Sequence, residues 1–110
     1  MKVGILRCAQ TEDVCPGTRC LASAAGGVEA FAEAGRVEVV GFVSCGGCPG
    51  KKAVARALEM EERGAEAIFL ASCATKGFPW DFVCPHLGSI RRALSKRLSP
   101  ATRLVEWTHG

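Results

Sequence analysis

Residues 37–45 form a nearly unbroken apolar, β-branched run that passes through Gly46-Gly47-Cys48-Pro49-Gly50 directly into an amphipathic helical pattern from Lys51. A buried strand followed at once by a helix constrains a short chain strongly, because the helix must fold back over the sheet that holds the strand. The pattern recurs along the chain. Residues 2–8 read as a first strand. After Pro16-Gly17-Thr18, the residues Leu21, Ala24, Ala25, Val28, Phe31 and Ala32 put one apolar stripe on a helix of about four turns, stopped by Gly35. Residues 51–63 read as a second helix with Val54, Ala57, Leu58 and Met60 turned inward, ended by Gly64. Residues 67–73 are a third strand, residues 74–84 a loop, and Pro85 opens a third helix with Leu87, Ile90, Leu94 and Leu98 on its inner side. Residues 102–107 form a fourth strand.

Strict alternation of this kind implies right-handed βαβ crossovers. We therefore expect one α/β domain over residues 1–110, a small flavodoxin-like three-layer sandwich. Its four-stranded parallel sheet has the order 2-1-3-4, with helices on both faces.

The cysteines follow the same plan. Each of the first three expected strands ends in one (Cys8, Cys45, Cys73), and each expected helix is opened by Cys-Pro (Cys15-Pro16, Cys48-Pro49, Cys84-Pro85). His86 follows Pro85, and the fourth strand runs on to His109. In an open parallel sheet all strands end at one edge, where ligands bind. Most of the thiols and both histidines are thus expected at one end of the molecule, and Cys20, one turn into the first helix, can face it too. Proline at a first helical position needs no special reason, since its missing N–H costs nothing there. Cysteine where Ser, Thr or Asp usually caps does need one. Any single cysteine is most simply a small buried hydrophobe, but core cysteines would fall anywhere along the apolar stripes.

Seven cysteines in 110 residues, an odd number, with no secretory signal pattern at the start, argue against a disulfide framework and for metal or redox chemistry in the cytoplasm. No apolar run is long enough to span a membrane. A net charge of +3 is too mild to argue for nucleic acid, and the basic side of the third helix (Arg91, Arg92, Lys96, Arg97) reads as a solvated face.

Cys-Gly-Gly-Cys-Pro-Gly at 45–50, Arg7-Cys8, Cys15-Pro16-Gly17, Ala71-Ser72-Cys73, Cys84-Pro85-His86 and Thr108-His109 together resemble the CGGC-domain family over essentially the whole chain. The resemblance implies metal or cluster binding without supplying a reaction.

Three chemistries compete on the residues themselves. Zinc wants four Cys or His ligands, and C-x₂-C is a common half-site. Cys45 and Cys48 would be joined by Cys8, Cys73, Cys84 and His86, while Cys15 and Cys20 complete the site, form a second one or stand in reserve. An iron–sulfur cluster wants four thiolates, with Gly46 and Gly47 freeing backbone N–H groups for its sulfides. Spacing does not separate the two. The alternative is a thiol–disulfide redox protein, with the Cys45/Cys48 dithiol activated at a helix N-terminus. Here the residues between the cysteines differ from the thioredoxin pattern, and the other thiols are superfluous. An anion held by the glycine-rich turn at 45–52, near Lys51, is a secondary expectation. The stretch departs from the Walker pattern, with Lys52 where Ser or Thr belongs, and has Lys51 where a cysteine-phosphatase loop has Arg. His109, near a chain end, is the weakest candidate, and Trp80 and Trp107 read as cover for crevice or core. Oligomeric state and any catalysed reaction are not legible.

Overall fold

The structure, a computed structural model, describes residues 1–110. Its elements run β1 (Lys2–Arg7), α1 (Thr18–Gly26), β2 (Glu38–Ser44), α2 (Ala53–Glu62), β3 (Ala67–Leu70), α3 (Ser72–Thr75), α4 (Leu87–Arg97) and β4 (Arg103–Val105). The four strands form one parallel sheet in the order β2-β1-β3-β4, as the alternation implied. No helix is long and apolar enough to cross a membrane.

Side chains alternate across a strand, so each strand serves two cores. Leu6 of β1 and Ile68 and Leu70 of β3 pack with Ala53, Ala57 and Met60 of α2 and Ile90 and Leu94 of α4. Val3 and Ile5, with Ala67 and Phe69, face the other way onto Cys20 and Ala24 of α1 and onto Phe31. The Phe31 and Phe69 rings stack 4.2 Å apart at the centre of that second layer. Met60 sets the spacing of the first. A Cβ added at Gly4 or at Gly41 would fall 2.7 Å from its sulfur, so the two glycines let α2 lie close on β1 and β2.

The fourth strand is shorter than expected, Arg103–Val105, the last helix begins at Leu87 rather than Pro85, and three further boundaries differ. The first helix ends at Gly26 rather than running to Gly35. Gly27 takes a left-handed conformation and its N–H reaches the carbonyls of Ser23 and Ala24, closing the helix. A separate 3₁₀ turn, Glu29–Phe31, then delivers Phe31 to the core. The third strand stops at Leu70, and residues 72–75 of the expected strand end and loop form the short α3. The second helix begins at Ala53, not Lys51, with residues 46–50 as an irregular turn before it.

Candidate functional site

From β1 the chain runs to β2 on one side and then crosses back from β2 to β3 on the other, and the crevice at such a reversal is where open α/β sheets hold ligands. Cys8 follows the last residue of β1, and Cys73 lies in the first turn of α3, just past β3. The backbone N–H of Cys8 donates to Cys73 Sγ at 3.3 Å across that reversal. Cys45 follows the end of β2 and is fixed by its own N–H to the Arg7 carbonyl at 2.8 Å. Arg56, reaching back from α2, donates to the carbonyl and hydroxyl of Ser44 at 3.0 and 3.1 Å and holds the strand end that presents Cys45. Cys48 sits exposed in the turn, with the Gln10 amide 4.0 Å from its sulfur. Cys84 is tied by its N–H to the Ala74 carbonyl at 2.9 Å.

Two cavities open at this edge, one on each side of the sheet. The smaller, about 30 Å³, is lined by Cys8, Cys45, Cys48, Cys84 and His86 over a floor that includes Leu6, Leu70 and Ile90. The larger, about 310 Å³, is lined by Cys15, Cys20, Cys73 and His109 among others. Arg7 is shared by both. The thiols expected at one end of the molecule are there, but the sheet divides them into two groups. All seven are free.

Burial pushes the thiols of Cys8 and Cys84 above the ordinary value, and neighbouring sulfurs add to the effect: Cys73 and Cys45 on Cys8, and Cys45, Cys48 and Cys73 on Cys84. Cys8 and Cys84 thus resist ionising, the condition a bound cation would reverse. Cys20 is also raised by burial, against the opposing effect of the Thr108 hydroxyl 3.2 Å away.

Helix α2 starts at Ala53, so residues 49–52 lie between Cys48 and its first turn. Gly46 and Gly47 do take the left-handed backbone that glycine permits (φ 82° and 102°). The Gly46 N–H, however, is already given to Ser44 Oγ at 3.2 Å. Lys51 is exposed, as is Trp80, whereas the ring of Trp107 lies under the Lys76 ammonium at 4.4 Å.

His109 is the largest departure from the sequence reading. It is buried, as are Thr108 and Ser72, which clamp the final residues onto α3. Ser72 Oγ donates to the His109 carbonyl at 2.7 Å and accepts from the N–H groups of Thr108 and His109, each at 3.0 Å. The Ser72 N–H donates to Thr108 Oγ1 at 3.1 Å. Burial lowers the His109 pKa, with Arg19 adding to the shift. The only sequence signal for this clamp was the presence of Ser72 beside Cys73 and of Thr108 beside His109.

The smaller cavity fits a soft metal ion by its chemistry: four thiols and an imidazole from three chain segments, with apolar cover and no carboxylate in its lining. As the side chains stand, no three Cys, His, Asp or Glu groups surround one point closely enough to hold an ion. Thiol rotamers would have to turn inward.

Among known proteins, an uncharacterized protein of Methanocaldococcus jannaschii is 38% identical over 79 residues, which take in 66% of this chain and 62% of that protein's length. No solved structure matches the chain. The profile of the CGGC domain matches residues 2–109, so every cysteine and both histidines described above lie within the match, and the chain belongs to the CGGC domain family.

Proposed function

We propose that this protein binds one soft metal ion, zinc in preference to an iron–sulfur cluster, through the thiolates of Cys8, Cys45, Cys48 and Cys84. His86 serves as a further donor or orients one of the thiolates. The observation that carries the reading is the convergence of these four sulfurs, from the ends of β1 and β2 and the approach to α4, on one cavity. Its small volume, about 30 Å³, suits a single ion. Cys73, in contact with Cys8, is a reserve ligand. Free thiols in this number suit the reducing cytoplasm.

When bound, the metal would supply a fixed positive charge that holds the thiolates ionised. The chain's own part is to present them: Arg56 through Ser44 for Cys45, and the backbone bonds at Cys8 and Cys84 for the other walls. The test is Cys45→Ser combined with Cys48→Ser, which should remove stoichiometric metal and lower stability, because site binding adds to folding energy. A Cys15→Ser variant, altered in the other cavity, should keep its metal. Full metal content in the double variant would remove these two ligands from the site.

The dithiol reading keeps one supporting observation, the exposure of Cys48. It predicts that metal-free protein reduces a disulfide substrate and that Cys45→Ser alone stops turnover. Turnover unchanged in that variant would exclude it.

A further inference from the structure

The larger cavity has features that a thiol site does not use. Its volume, about 310 Å³, lies at the lower end of the range that holds small organic ligands. Arg7, Arg19 and His109 line it, and no Asp or Glu does. Arg7 is buried, 8% exposed, and takes part in none of the chain's ion pairs. Its bonds go only to the Cys8 carbonyl and, at 3.0 Å, to the Thr11 hydroxyl. A guanidinium withdrawn from water without a counter-charge is strongly destabilising.

The second observation is independent of Arg7. The His109 side chain is 6% exposed and lines the cavity, yet its Nδ1 has no hydrogen-bond partner. A buried ring nitrogen left unpaired is uncommon enough to require an explanation. Two aromatic rings, Phe42 and Phe78, also line the cavity, beside Pro79, Ala71 and the three cysteines. The Arg7 guanidinium lies 5.9 Å from the centre of the Phe42 ring, and Phe78 stacks on His109 at 5.7 Å. Gly17 keeps the Phe42 wall in place, since a Cβ there would fall 2.5 Å from that ring.

We infer that this cavity binds a small organic carboxylate with a ring-sized apolar body. Arg7 takes the carboxylate, Arg19, which also faces Glu29 at 3.7 Å, adds positive charge, and a turn of the His109 ring would bring its enclosed Nδ1 to the ligand, whose body lies between Phe42 and Phe78. A planar guanidinium matches a carboxylate in shape as well as charge. The ligand would lie across the sheet from the proposed metal site, with Cys73 and Cys20 beside it.

Benzoate is the probe, followed by titration calorimetry, with benzamide as a neutral ring of the same size and inorganic phosphate as an anion without a body. Benzoate should bind one-to-one, and both controls should bind about tenfold more weakly or worse. Arg7→Met and Arg19→Gln should each weaken benzoate by a similar factor. Arg19 is exposed, so its variant decides the matter if Arg7→Met does not fold. The Cys45→Ser/Cys48→Ser protein should bind benzoate as the parent does, which separates this inference from the metal reading. Any of four results would overturn it: no saturable benzoate binding, equal binding of benzamide or phosphate, an unchanged affinity in folded Arg19→Gln, or binding that vanishes with the metal.

Discussion

At the scale of residues, the C-terminal clamp is the feature with the sharpest consequences. Ser72 is fully buried and its single hydroxyl serves three backbone groups of Thr108 and His109. Ser72→Ala would leave two buried N–H donors and a carbonyl without that partner, and we expect a loss of about 1–3 kcal/mol in denaturant unfolding. A change within error would mean that the clamp contributes nothing to the fold. Glu29 fastens the same tail from outside. The Gly110 N–H, then the Ser23 hydroxyl, hold its carboxyl below the ordinary value of 4.5. A carboxyl lowered on folding stabilises the folded state fully above that value, and the contribution is lost as pH falls through the lowered one. Amide exchange at Gly110, corrected for intrinsic rate, should therefore gain protection as pH rises through this acid window. In Glu29→Gln the dependence should flatten, and an equal dependence in both proteins would assign it elsewhere. The placement of the cysteines at strand ends was legible in the sequence. The burial of His109 was not, because its partner Ser72 lies 37 residues away and only the folded sheet brings them together.

At the scale of elements, every strand was visible as a short apolar run and every long helix as a period of 3.6 in apolar residues. The errors sit where local chemistry overrode the period. Gly27 closes α1 although the apolar stripe continues to Phe31, so that residue enters the core from a turn. The stripe was right about burial and wrong about the helix. Cys-Pro likewise marked the approach to each long helix rather than its first turn. Phe69 offers the direct test of how the second core layer is held. It is 1% exposed and stacked on Phe31, and Phe69→Ala should cost about 3–5 kcal/mol by chemical denaturation. A cost below about 1 kcal/mol would mean the layer collapses around the gap.

At the scale of the whole molecule, the sheet both gathers and separates the thiols. Strand order 2-1-3-4 brings the ends of β1 and β3 together, so Cys8 and Cys73 meet although they are 65 residues apart. Parallel strands with helices on each face then leave one cavity on either side, a division not legible in the chain because topology alone creates it. Arg7, lining both cavities, is the one side chain through which the occupant of one could alter the charge balance of the other. The measurement that tests the account most directly is elemental analysis with a visible absorption spectrum on anaerobically purified protein, beside the Cys45→Ser/Cys48→Ser and Cys15→Ser variants. A zinc site predicts colourless protein with about one zinc per chain, lost in the double variant and kept in Cys15→Ser. Brown protein with iron and acid-labile sulfide, no metal at all, or metal that survives the double substitution would contradict it.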